Sequence, residues 1–261
     1  MDKLNIGSNS FVGDGWLNLD HASARYSNEQ TKIDLPHDLM GDKSIDLDNE
    51  TLSAAYTSHT IEHIGDVHVK RTFQEVYRML KPGGVFRVSC PDASKCYDAY
   101  VAQDKDYLTS WIAPHPSAGL GPQNNYRSFG MGEQLVFMIA SNLSPYSKRN
   151  VNLKNITKGI RTYNESEIKD IFDERGKENG LTFFTDECQE KTIHLQKQIP
   201  GNHVSWWSFD KLKTLMESVG FIDVAERDFN ESSYEVFNGF DEKNKDSVIQ
   251  KQYSVFVEAK K

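Results

Sequence analysis

Short apolar runs that end in small or polar residues alternate along the chain with longer stretches whose apolar positions recur at helical spacing. The clearest unit is Ala54 to Asp92. A short apolar run ends in Ser58-His59-Thr60-Ile61-Glu62-His63, and Val69, Phe73, Val76, Tyr77 and Leu80 then follow at intervals that hold them on one helical face, with Asp66 as the candidate N-cap. Pro82, Gly83 and Gly84 stop this helix, and Val85-Phe86-Arg87-Val88-Ser89-Cys90 is short and β-prone. Strand, polar tip, helix, sharp stop and strand make a βαβ crossover. Such crossovers are right-handed and set their polar strand ends beside a ligand crevice.

The same grammar extends in both directions. Upstream, Lys3-Leu4-Asn5-Ile6 opens onto Gly7-Ser8-Asn9, and Gly15-Trp16-Leu17-Asn18-Leu19 ends in Asp20. An acid at that strand tip is placed to accept hydrogen bonds from both hydroxyls of a ribose, although capping a turn would explain it equally well. A third acid, Asp38, follows Leu35-Pro36-His37. Downstream, Ser208 is a candidate N-cap for a helix whose buried stripe is Leu212, Leu215, Met216 and Val219. Gly220-Phe221-Ile222-Asp223-Val224 then leads into a sixth strand, and Tyr253 to Ala259 alternates like a half-buried seventh.

The order and spacing of these pieces resemble the class I S-adenosylmethionine-dependent methyltransferases. The resemblance is carried by Leu4-Asn5-Ile6-Gly7-Ser8-Asn9, Trp16-Leu17-Asn18-Leu19-Asp20, Asp34-Leu35-Pro36-His37-Asp38-Leu39, Ser58-His59-Thr60-Ile61-Glu62-His63 and Arg78-Met79-Leu80-Lys81-Pro82-Gly83-Gly84 through Pro91-Asp92. It implies an α/β fold, a doubly wound and mostly parallel seven-stranded Rossmann-like sheet with an antiparallel last strand and a large insertion after the fifth. It implies one methyltransferase-like domain over 1–261, with a cofactor-binding core at 1–92, an insertion that caps the substrate at 93–205, and the last helix and strands at 206–261. S-adenosyl-L-methionine is the implied cofactor. Asn5 and Gly7 would approach its methionine part, Asp20 its ribose, Asp38 with Leu39 its adenine, and Ser58 with His59 the pocket floor. The chain departs from the family pattern where Asn5 stands for an acid and Ser8-Asn9-Ser10 stand for further glycines. Only Gly7 to Gly15 separates the first two strands, which is short for a crossover with its own helix. A catalytically silent relative is therefore kept as an alternative.

Histidine titrates near neutrality, so His59, His63 and His203 are the candidate general bases, His59 foremost because it is nearest the strand end. Each has a structural alternative: His63 as a helix cap, His203 as a tether before Ser208. Asp92 is a candidate to orient the acceptor. Trp206 and Trp207 either stack on a substrate or fill a core.

His59-x-x-Glu62-His63 also matches the pattern of a zinc hydrolase, which requires both histidines on one face of a regular helix. Gly65 and Asp66 argue that the helix starts later, and no metal ligand set is assigned. Cys90, Cys96 and Cys188 show no metal spacing and read as reduced thiols. A net charge of −8 with scattered Lys and Arg argues against a nucleic-acid acceptor, leaving a small molecule, with a sugar hydroxyl as the default that the resemblance implies. The N-terminus lacks a signal-peptide pattern and no apolar run spans a bilayer, so the expected location is cytoplasmic. The insertion holds a Pro- and Gly-rich loop from Ala113 to Pro122, a helical apolar stretch from Met131 to Leu143 that could serve a homodimer contact, and a charged, solvated helix from Glu165 to Asn179.

Overall fold

The computed structural model describes residues 1–9, 13–21, 32–112, 129–149, 154–244 and 251–261; the predicted loop from Ala113 to Pro122 lies outside them. The chain divides into two compact units. The first comprises Met1–Ile61, Asp66–Pro91 and Ser208–Lys261, and the second Glu62–Gly65 and Asp92–Trp207.

The first unit is built on a sheet that has seven strands among the described residues. They are β1 (Lys3–Ile6), β2 (Leu17–Asp20), β3 (Leu35–Pro36), β4 (Leu52–Ser58), β5 (Leu80–Pro91), β6 (Ile222–Arg227) and β7 (Ser254–Lys260), in the spatial order β3-β2-β1-β4-β5-β7-β6. β1 pairs in parallel with both β2 and β4, β2 with β3, and β4 with β5, whereas β7 runs antiparallel between β5 and β6. The short connection from Gly7 to Trp16 thus joins two neighbouring parallel strands. The predicted seventh strand is present, but it is buried along nearly its whole length rather than half-buried. Its neighbours β5 and β6 pair its edges, and successive buried residues show that both of its faces are covered.

Helix α1 (Asp66–Met79) forms where the periodic stripe predicts it, with Val69, Phe73 and Val76 buried and Tyr77 only half-buried. Asp66 is its first residue, and its carboxylate accepts from Lys211 Nζ (2.6 Å). The following strand starts at Leu80, not Val85. Leu80 pairs with Leu52, a register shift follows, and Gly83 turns through φ +80° so that the main line resumes at Val85 opposite Ala54. On one face of the sheet Phe86 meets Phe73 edge-on (5.1 Å between ring centroids) and also Phe221 (5.7 Å). On the other, Ala54, Tyr56 and Val85 pack with Trp16, Phe237 and Phe240.

Arg87 lies on that second face, fully buried in the middle of β5. Its guanidinium pairs with Asp241, Nε standing 3.2 Å from Oδ1, and with Glu258 of β7 (2.8 Å from Nη1 to Oε1), and it donates to the carbonyls of Glu231 (3.0 Å) and Asp228 (3.3 Å). Tyr56 donates to the same Asp241 carboxylate (3.1 Å). Burial by itself would lower the basicity of Arg87, but the Asp241 hydrogen bond and the Asp241 and Glu258 charges outweigh it and raise its pKa above the ordinary value.

The second unit is helical. It holds α2 (Ala93–Val101), α3 (Lys105–Ile112), α4 (Met131–Ile139), α5 (Tyr146–Arg149) and α6 (Glu165–Thr192). The predicted Met131–Leu143 helix is realised as α4 followed by a 3-10 turn, Ser141–Leu143. The charged stretch from Glu165 extends further than predicted, because α6 continues past a break at Gly176 (φ 74°, ψ −177°), and it is not wholly solvated, since Ile168 and Phe172 are buried. Asn164 starts it, accepting from the N–H groups of Ser166 and Glu167 while Glu167 answers its own N–H. The second unit takes in Glu62–Gly65 after β4 as well as Asp92–Trp207 after β5. Helix α7 (Phe209–Val219) returns to the first unit, capped by the Ser208 hydroxyl and ended by Gly220.

The Arg87 cluster yields a stability test. Removing the cation takes the guanidinium from buried Asp241 and leaves Glu258 with Arg227 (3.3 Å), so Arg87→Met should lower the unfolding free energy by roughly 3–5 kcal/mol. Urea unfolding of the two proteins measures this, and a loss below about 1 kcal/mol would show that the cluster is not the anchor inferred here.

Candidate active site

Four parallel neighbours, β2, β1, β4 and β5, present their carboxyl ends along one edge of the first unit. At the end of β1 the chain turns at Gly7 with φ +66°, and the N–H groups of Gly7 (2.8 Å) and Ser8 (3.2 Å) both donate to the carbonyl of Leu19 on β2. Glycine is required twice over. A side chain would be strained at this φ, and its Cβ would fall 2.1 Å from Thr60 Oγ1. Thr60 itself is held by donating to the carbonyl of Ser58 (3.1 Å).

The turn brings the backbone of Asn9 to Asp20. Asp20 Oδ2 accepts from the Asn9 N–H (2.7 Å) and Oδ1 from the His21 N–H (2.6 Å). Burial raises the Asp20 carboxyl above its ordinary value, while the Asn9 and His21 donors draw it partly back. Each carboxylate oxygen keeps a second lone pair, so the group has capacity for further donors. The Asp20 carbonyl accepts from the His37 N–H (2.9 Å), and His21 Nε2 stands 3.9 Å from Asp38 Oδ2. Asp38 also closes its own turn, its Oδ1 accepting from the Met40 N–H (3.0 Å), with Leu39 half-buried between them. Burial lowers the pKa of His37 below the ordinary value even though Asp38 and Glu75 pull the other way.

At the tip of β4, Ser58 is buried and its hydroxyl accepts from Ser89 Oγ (2.8 Å). His59 adopts φ +49°, the left-handed conformation that costs an L residue roughly 1–2 kcal/mol. Two contacts hold it there: its N–H donates to the Ser89 carbonyl (2.9 Å), and Nε2 is 3.1 Å from Ser254 Oγ. Gly7, Asp20, Asp38, Ser58 and His59 are therefore joined by a continuous chain of contacts through Thr60, Asn9 and His21. Asn5 sits one step back, buried, with Nδ2 donating to Asn18 Oδ1 (3.4 Å); Asn18 in turn donates through its backbone N–H (2.9 Å) and Nδ2 (3.1 Å) to Asp34 Oδ2.

The remaining candidates belong to the second unit. Asp92 caps α2, its Oδ1 accepting from the N–H groups of Ser94 (2.9 Å) and Lys95 (3.3 Å). Trp206 and Trp207 are buried, and Trp206 Nε1 donates to Thr182 Oγ1 (3.2 Å). His63 and His203 come together edge to face, 4.7 Å between ring centroids. The helical zinc-hydrolase arrangement does not form. Ile61–His63 is a single 3-10 turn, and His59 precedes it in left-handed backbone, so the two motif histidines do not share the face of a regular helix. The three cysteines are buried and free, and burial raises Cys96 and pushes Cys188 up to about 11. Among the described residues no helix is long and apolar enough to cross a membrane. A shallow groove of about 720 Å³ follows α6 between Glu174 and Lys191, and none of the candidate residues line it.

Several contributors were not foreseen from sequence: Thr60, Asn9, His21, Asn18 and Asp34. Thr60 lies inside the Ser58–His63 motif, yet its contact with Gly7 depends on register between β1 and β4. Asn9 and His21 act at Asp20 through backbone N–H groups, which no side-chain pattern reveals.

Residues 17–88, from β2 to within β5, match the family model described as a methyltransferase domain. No curated protein matches the chain. Among solved structures, it is similar to a SAM-dependent methyltransferase from Archaeoglobus fulgidus (13% identity, 99% of this chain and 85% of that one, TM-score 0.43). It is similar also to an S-adenosylmethionine-dependent methyltransferase from Mesorhizobium loti (13% identity, 99% and 90% coverage, TM-score 0.42). A third, from Thermotoga maritima, is described as a possible histamine N-methyltransferase (12% identity, 99% and 80% coverage, TM-score 0.41). The matched segment runs from β2 into β5 of a sheet ordered β3-β2-β1-β4-β5-β7-β6 around one antiparallel strand.

Proposed function

We propose that the edge formed by Gly7, Asp20, Asp38, Ser58 and His59 binds S-adenosyl-L-methionine and that the protein transfers its methyl group to a small-molecule acceptor, a sugar hydroxyl among the candidates. The observation that carries this reading is Asp20. Its carboxylate is fixed by two backbone N–H groups at the tip of the second strand and retains lone pairs for the two hydroxyls of a ribose. The Gly7 turn would let backbone come close to the methionine portion, Asp38 and Leu39 would flank the adenine, and Ser58 with His59 would form the floor. Asn5 has a positioning role in this scheme, because its amide links β1 to Asn18 and so holds the two strand tips in step.

The cofactor supplies an electrophilic methyl on a sulfonium, and the acceptor attacks it in line. The protein's share is placement and exclusion of water, which can contribute on the order of 7–11 kcal/mol. Where the nucleophile must lose a proton, a base adds typically 10²–10⁴-fold. His59 is the candidate base in the first unit, oriented by the Ser254 hydroxyl. Asp92, Trp206 and Trp207 are committed to a helix cap and to buried packing, which supports a framework role for them over direct acceptor contact. The net charge of −8 supports an acceptor other than nucleic acid.

Calorimetric titration with S-adenosylmethionine and S-adenosylhomocysteine tests the cofactor directly. Micromolar binding of both is expected, and absence of binding at millimolar concentration would overturn the reading. Asp20→Ala should weaken both affinities by roughly 10–100-fold, the worth of hydrogen bonds to a charged group. An unchanged affinity would remove Asp20 from the ribose site. For the acceptor, mass spectrometry of a panel of sugars and small amines and phenols incubated with labelled cofactor should reveal one class that gains a methyl group.

A further inference from the structure

We infer that the second unit contains a binding site for a borderline divalent transition ion, Zn²⁺, Fe²⁺, Mn²⁺ or Co²⁺, formed by Glu62, His63 and His203. One ligand-capable atom from each of these residues lies within 4.8 Å of the others. The inference stands apart from the methyl-transfer reading, because every residue it uses lies in Glu62–Gly65 or Asp92–Trp207.

The hydrogen bonds around the two rings set their chemistry. His203 Nδ1 is 2.5 Å from the Met138 carbonyl, and His63 Nδ1 is 3.3 Å from the Asn202 carbonyl. A carbonyl can only accept, so each Nδ1 carries a proton, and in a neutral ring Nε2 is then the nitrogen that can ligate. Imidazoles that ligate a metal are typically oriented in this way, by donating their other N–H to a backbone carbonyl. His63 Nε2 points toward Glu62, 3.7 Å from Oε1. Donors held about 2.0–2.2 Å from a tetrahedral ion stand roughly 3.3–3.6 Å apart, so this pair is already near ligand spacing, and drawing in the third donor requires a movement of about 1 Å.

The frame around the site is rigid. The N–H groups of Val204 (2.8 Å) and Ser205 (3.3 Å) both donate to the Glu62 carbonyl, which ties the segment before α1 to the segment before α7. Ser141 clamps His203 from both sides, its hydroxyl accepting from the His203 N–H (2.9 Å) and its N–H donating to the His203 carbonyl (2.9 Å). Gln196 Nε2 donates to the Asn202 carbonyl (2.6 Å), fixing the acceptor that orients His63. The Glu62 and His203 side chains are buried, while His63 keeps 23% of its side-chain surface exposed, which leaves an approach for an ion. Two imidazoles and a carboxylate suit zinc, iron, manganese or cobalt, whereas magnesium and calcium favour all-oxygen sets. Three protein donors leave coordination positions for water or an oxygen ligand.

Cobalt(II) added to chelator-stripped protein is the probe. The expected result is saturable binding of one equivalent, visible d–d absorption of a nitrogen–oxygen site without a thiolate charge-transfer band, and displacement by Zn²⁺. His203→Ala and His63→Ala should each weaken binding by about 100-fold or more, beyond the roughly 10–100-fold typical of residues that only support a ligand. Should these variants not fold, proton NMR of the cobalt-loaded wild type decides the matter. Two solvent-exchangeable, paramagnetically shifted resonances are expected, one from each Nδ1–H. No binding at millimolar Co²⁺, a thiolate band, fewer than two such resonances, or unchanged affinity in folded variants would overturn the site.

Discussion

Parallel direction is the constraint on which the first unit depends. Because β1, β2, β4 and β5 all run the same way and lie side by side, the residues that follow each strand must emerge on one edge. Gly7, Asp20 and His59 are far apart in sequence and share nothing locally, yet this single topological fact brings them into one network. The edge is then refined by backbone: Gly7 and Ser8 bond to the Leu19 carbonyl, and Asn9 bonds to Asp20. The short connection between β1 and β2 contributes to this closeness. Its first residues, Gly7 to Asn9, deliver their N–H groups directly to the end of the neighbouring strand.

The antiparallel strand poses a second problem, since β7 must be inserted between β5 and β6 against the direction of the rest. Arg87 resolves it with charge. A guanidinium at the centre of a buried sheet face is unfavourable unless its five N–H donors are used, and here β7 supplies Glu258 while the segment after β6 supplies Asp241 and two carbonyls. Apolar packing alone would tolerate a register slip, which in a strand of period two exchanges its faces. The ion cluster does not tolerate it, because moving β7 by one residue would carry Glu258 away from Arg87. Specific pairing of this kind fixes register where hydrophobic burial is indifferent.

How much of this was legible in the sequence follows from the range of each interaction. The α1 stripe, the stop at Leu80 to Gly84 and the Ser208 cap are local, and the chain states them openly. The tips carrying Gly7, Asp20, Asp38 and His59 were legible because strand ends are punctuated by small and acidic residues. Register and burial were not. That β5 begins at Leu80, that β7 is buried on both faces, and that Asn5 answers Asn18 all depend on which strand lies alongside, which periodicity does not encode. Asp92 carries two readings: an acid after a strand is a site candidate, and two N–H groups at the start of α2 engage its Oδ1 as a cap. Trp206 and Trp207 likewise carry two readings, and both are buried.

In the His59-x-x-Glu62-His63 motif, sequence spacing and local structure part company. The pattern asks for histidines four apart on a helix, but the 3-10 turn is too short to align them, and His59 is drawn to Ser254 by the left-handed bend at the end of β4. What survives is the Glu62-His63 pair, completed by a histidine distant in sequence that the Ser141 clamp delivers. A divalent ion would use both Nε2 atoms, since the Met138 and Asn202 carbonyls engage the Nδ1 atoms. The hydrogen bonds to Met138 and Asn202 place a proton on each Nδ1, and among the neutral tautomers that is the one a metal ion at Nε2 requires.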